Sequence, residues 1–148
     1  MSNWTSITEA AVRAELNTAV LDAMQSLAAS RSEADPLPQI IAKSVARIRS
    51  AVSAGNSLDA DAAKIPNSLA WLALNLVTRG VKAYLQIDLT DAEKAEQRND
   101  HSYLNDIVRD KPRFEQPDNP SDGGMQSQPT PRITVPVRNF TSRTTDGI

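Results

Sequence analysis

The chain contains no cysteine, which excludes disulfides, thiolate nucleophiles, iron–sulfur clusters and cysteine-ligated zinc together. Aromatic residues are scarce, at 4% of 148 positions, whereas alanine and leucine abound. That composition suits close-packed helices better than a strand-rich sandwich. An excess of positive charge is also missing. The formal charge is −2, so there is no global basic field with which to hold nucleic acid by counterion release. The longest apolar stretch, Leu69 to Val77, is interrupted by Asn75 and followed by Arg79 and Lys82, short of a membrane span. Met1 to Thr8 lacks the basic segment and apolar run of a signal peptide. The expectation is a soluble protein of a reducing cytoplasm, with no membrane partner and no specific hold on DNA.

What is present is helical periodicity. A hydrophobic fraction of 40% suffices for one core if most of the chain takes part. Val12, Leu16, Val20, Met24 and Leu27 share a helical face, with Ser6 and Glu9 as a capping box and Thr8 as a competing cap. Asn17-Thr18 offers a second cap, so the stripe reads as one helix or two short ones. After a polar, Pro-containing loop from Ser30 to Pro38, Leu37, Ile41, Val45, Ile48 and Val52 mark an amphipathic helix, with Lys43, Arg47 and Arg49 off its apolar line. Ala54 to Pro66 carries turn-forming residues and reads as a surface loop. Asn67 to Ile87 is apolar nearly all round in its first half and should be the central helix, with Trp71 and Tyr84 buried in the core. Thr90 and Glu93 form a second capping box opening a last helix. Its charged start should project into solvent or toward a partner, while Tyr103, Leu104, Ile107 and Val108 return to the core. The predicted fold is mainly α, a small bundle of four to five helices over residues 1–111.

Composition shifts at Pro112. Residues 112–148 hold six of the nine prolines and three of the five glycines, too little apolar material for a separate core. Within this arm Ile133, Val135 and Val137 alternate with Thr134 and Pro136, and Phe140 follows, which is the pattern of one extended strand. Pro136 confines that strand to a sheet edge. A lone strand leaves its backbone groups to water unless a partner sheet supplies hydrogen bonds. Arg132, Ile133, Thr134, Val135, Val137 and Phe140 are therefore candidate docking residues, acting by β-augmentation, with a disordered tail as the competing reading. At about 3.3 Å per residue the arm could span roughly 120 Å.

Signals of chemistry are weak. His101, the only histidine, stands in a charged helical stretch with no second ligand or nucleophile at recognisable spacing, and a solvated or hydrogen-bonded role fits it better. Asp59-Ala60-Asp61 resembles the opening of a calcium loop without the required Gly and closing Glu, so turn chemistry is favoured. Asp91, Glu93, Lys94, Glu96 and Arg98 are explained by pairing along a helix face. Gly123-Gly124 has neither a following strand nor a P-loop lysine and reads as a hinge. Trp4 is placed either to staple onto the first helix or to fill a neighbour's pocket. No catalytic residue, cofactor or metal site is expected.

Taken in order, several segments resemble one family. They are Trp4-Thr5-Ser6-Ile7-Thr8-Glu9, Asp35-Pro36-Leu37-Pro38-Gln39-Ile40-Ile41, Val45-Ala46-Arg47-Ile48-Arg49, Ile65-Pro66-Asn67-Ser68-Leu69, Tyr103-Leu104-Asn105-Asp106-Ile107, Phe114-Glu115-Gln116-Pro117 and Asp146-Gly147-Ile148. Over nearly its whole length the chain is similar to the head-tail connector, or adaptor, proteins of long-tailed bacteriophages, in the Mu-like branch. The resemblance implies a small helical bundle assembling into a ring, usually dodecameric, at the virion neck. Its implied partners are the portal protein and a tail-side neck or stopper protein, with DNA passing through the channel without specific binding. Trp4, Glu93 and Arg98 are then candidates for contacts between subunits. One departure is Val81-Lys82-Ala83-Tyr84-Leu85, where similar proteins often carry a more basic stretch. Two other classes compete: a helical regulatory module whose tail recruits a partner, and a small hydrolase using Asp59, Asp61 or His101.

Overall fold

The structure is a computed structural model that describes residues 1–121. The candidate docking strand Arg132–Phe140 and the Gly123-Gly124 hinge lie outside the described residues. The elements run β1 (Trp4–Ser6), α1 (Glu9–Glu15), α2 (Thr18–Ser30), α3 (Leu37–Val52), β2 (Lys64–Pro66), a 3₁₀ turn (Asn67–Leu69), α4 (Ala70–Tyr84) and α5 (Asp91–Asp110). Over the described residues the fold is mainly helical, as the composition predicts, with five helices and one small sheet.

The caps explain the helix starts. Ser6 is committed to β1, so Thr8 caps α1 and accepts the Ala11 amide at 3.2 Å. Asn17 caps α2 through the Ala19 amide at 3.0 Å. Leu16 is extended, and this break rotates the apolar phase. The buried stripe runs through Val12, Leu16, Leu21, Met24 and Ala28, leaving Val20 and Leu27 only partly covered. At α3, Asp35 accepts the Leu37 amide at 3.0 Å, and Pro38 sits in the first turn, where no intrahelical donor is needed. Thr90 and Glu93 complete the predicted capping box of α5. That helix ends at Lys111, in the left-handed conformation with φ 49°, immediately before Pro112.

Helix α4 is central. Its Leu72 and Ala73 join Trp4, Val45, Ile48, Val52, Ile65, Leu69, Leu104 and Ile107 in one core region. Its Val77 and Val81 join Val12, Leu16, Leu21, Met24 and Leu37 in the other. Leu104 and Ile107 are buried as expected, but the burial expected of Trp71, Tyr103 and Val108 does not hold. Trp71 is 47% exposed, Tyr103 40% and Val108 48%. Trp71 stands in the first turn of α4, which is otherwise covered nearly all round, and Tyr103 and Val108 lie on the exposed side of α5.

The loop after α3 is more than a surface connection. Its end forms β2, which pairs antiparallel with β1 in the register Trp4↔Pro66, Thr5↔Ile65 and Ser6↔Lys64. Three-residue strands of this kind carry little periodic signal.

Candidate interaction surface

The boundary expected at Pro112 is not where packing ends. Residues 112–121 return along the helical body as an extended strap. Phe114 packs against the core, and Asn56 grips both sides of it, donating to the Pro112 carbonyl at 2.8 Å and accepting the Phe114 amide at 3.0 Å. The Trp4 indole donates to the Glu115 carbonyl at 2.8 Å. Asp118 accepts the Asn3 amide at 3.1 Å and the Ser2 hydroxyl, contacts that hold its carboxyl below the usual carboxylate range. Farther on, Ala60 donates to the Asn119 carbonyl at 2.7 Å and Ser121 to the Leu58 carbonyl at 2.9 Å. The described chain is thus tied to the body up to Ser121, on the side where the N-terminal strand is also held.

Trp4 is accordingly not free to fill a neighbour's pocket. It is 1% exposed, with its ring inside its own core and its only polar atom bonded to the strap. Arg49 lies 5.8 Å from the centre of that ring and donates to the carbonyls of Asp59 at 2.7 Å, Asp61 at 2.9 Å and Lys64 at 2.6 Å. One guanidinium therefore gathers the last turn of the loop, from Asp59 to Lys64, onto α3. The sequence places it off the apolar line of α3 and no more, because carbonyl ligands carry no mark in a side-chain pattern.

The residues weighed for hydrolysis have structural duties. Asp59 is 1% exposed, and its carboxylate accepts the amides of Asp61 at 2.9 Å and Asn119 at 3.2 Å, joining loop to strap. Asp61 accepts the Ala63 amide at 2.9 Å, closing the next turn. His101 Nδ1 lies 2.6 Å from the Arg47 guanidinium, so this nitrogen accepts and the ring is neutral. Burial, with the nearby charges of Arg47 and Arg79, lowers the His101 pKa against the opposing pull of Asp100. Among the described residues no three histidine or acidic side chains gather where a metal ion could sit, and no helix is long and apolar enough to cross a membrane.

The charged start of α5 exposes Asp91, Lys94, Glu96 and Arg98 as expected, but two of its acidic residues are held on α4 by ion pairs. Lys82 pairs with Glu93, and Arg79 with the buried Asp100, to which Asn75 also donates at 3.5 Å. The Lys82 contact, with the Thr90 amide, holds the Glu93 pKa down to about 2. Glu93 is thus engaged within its own subunit, whereas Arg98 is exposed. Where the first turn of α4 meets the second half of α5, Trp71 and Tyr103 lie with ring centres 5.8 Å apart and planes at 46°. This exposed aromatic pair escapes a periodicity reading, which assigned both residues to the core.

Comparison with models of protein families, with curated proteins and with solved structures returns no match.

Proposed function

We propose that the chain is a non-catalytic head-tail connector of a long-tailed bacteriophage, its helical body packing side by side into a ring between the portal and the downstream neck proteins. Closure of such a ring repeats one heterologous contact around the DNA channel. The observation that carries the reading is the strap. Ten hydrogen bonds over Pro112–Ser121 anchor the base of the arm to the body, a base that would offer Arg132–Phe140 from the same point on every subunit. Arms tethered at equivalent points bind a shared partner with avidity, because each engaged arm raises the effective concentration of the next.

The small sheet also favours an external acceptor for the arm. The outer side of β2 is occupied by Arg49 at the Lys64 carbonyl, and the start of β1 lies against Asp118 and Glu115. A docking strand from Arg132 to Phe140 would therefore complete a sheet on the portal or on a tail-side protein. The hydrolase alternative has no support in the packing, because Asp59, Asp61 and His101 are each engaged in holding loops or helices together.

Truncation after Gly124 tests the arm. The expected outcome is an unchanged thermal melt of the helical body together with loss of stable docking to the portal in co-sedimentation. Ile133→Asp or Val135→Asp in the full chain should weaken docking in the same assay, through burial of an unpaired charge. Undiminished particle assembly by the truncated chain would contradict the role of the arm.

A further inference from the structure

Trp71 and Tyr103 present a tilted aromatic pair to solvent from two packed helices, and nothing in the core requires it. Rigid exposed aromatics of this kind are suited to proline rings, and aromatic-lined surfaces recognise extended Pro-rich segments whose conformation is already restricted. The chain supplies such a segment. Pro129, Pro131 and Pro136 fall within ten residues that also hold Arg132 and Arg138 and no acidic group. From residue 122 onward three arginines face two aspartates, so the excess of negative charge belongs to the body. On the body, the exposed Glu115 carboxylate accepts the Ser68 hydroxyl at 2.9 Å, one helical turn before Trp71.

Reach selects the segment's own subunit as the site. Six residues separate Glu115 from Ser121, at most about 20 Å, and eight more lead to Pro129, at most about 26 Å. Those lengths allow the chain to return to Trp71 without strain. An intramolecular partner is present at millimolar effective concentration, which a second copy in dilute solution does not match. We infer that in the free subunit the Pro129–Arg138 segment docks on the Trp71–Tyr103 face of its own chain, with Glu115 attracting Arg132. The inference does not depend on the connector reading. If both hold, the arm is parked on its own body before assembly and transferred to a partner during it.

Trp71 makes the test direct, because Trp4 is buried and a soluble quencher reports on Trp71. Acrylamide quenching is compared between the full-length chain and the full-length variant P129S/P131S/P136S, with circular dichroism to establish that both are folded. The variant should be quenched about twofold more strongly, as an indole face is uncovered. That difference should persist unchanged on dilution of both proteins. Equal quenching of the two chains would overturn the inference. A difference that vanishes on dilution would overturn the intramolecular assignment and give the site to a second copy.

Discussion

Between α4 and α5 the Arg79 guanidinium and the Asp100 carboxylate are both almost wholly removed from water, and each depends on the other for its charge to be tolerated. Removing one partner of such a pair strands the other. Arg79→Ala should therefore cost about 3–5 kcal/mol, read as a lowered urea midpoint. Asp106 and Arg109, paired on the exposed face of α5, provide the contrast. Asp106→Ala should change stability by less than about 1 kcal/mol in the same measurement, because solvent screens that pair. His101 supplies a pH dependence. Its folded pKa lies below the ordinary 6.5, so the unfolded chain binds the proton more readily. The stabilisation is complete above pH 6.5 and is lost as pH falls through the lower folded value. Glu93 acts farther down, since its carboxyl titrates near 2 when folded against 4.5 ordinarily, and its contribution disappears as pH falls across that interval. Thermal melts from pH 7 to pH 3 should show both losses, with the upper one absent in His101→Gln and the lower one reduced in Glu93→Gln.

Helix α4 shows how two effects of one substitution are weighed. Gly80 in a helix interior is normally improved by alanine, by about 1 kcal/mol. Here a Cβ would meet Ile40 Cγ2 of α3 at 2.6 Å, and overpacking of that kind costs about 1–3 kcal/mol. Gly80→Ala should be destabilising, and adding Ile40→Ala should relieve the clash, giving a double-mutant cycle of opposite sign to simple additivity. The helices themselves were legible in the sequence because their signals are local. Thr8, Asn17 and the Thr90–Glu93 box cap where such residues should, and the α3 stripe of Val45, Ile48 and Val52 is buried as written. Two kinds of feature were not legible. The β1–β2 pair joins residues about sixty positions apart through strands too short to alternate. Exposure of Trp71 and Tyr103 follows from how far the bundle wraps around α4 and α5, which no single helix pattern contains.

At the scale of the whole molecule, the strap decides what the candidate site can be. Its contacts are made by backbone carbonyls, by Asn56 and Asp59 of the segment that sequence reading took for a surface loop, and by Asp118 of the arm itself, and the composition shift at Pro112 hid the return to the body. Trp4 belongs to this closure. Trp4→Ala should cost about 3–5 kcal/mol and loosen the strap as well as the core, seen as faster amide exchange at Phe114 together with a lowered melting temperature. The proposed docking strand lies outside the described residues, and the proposal rests on the alternation of Ile133, Val135 and Val137 and on the anchoring of residues 112–121. The central claim, a ring-forming connector, is met most directly by electron microscopy and light scattering of the full-length chain mixed with its cognate portal protein. Closed rings seated on the portal, with a mass well above that of one subunit, are the result the account predicts. A chain that stays monomeric both alone and beside the portal would contradict it.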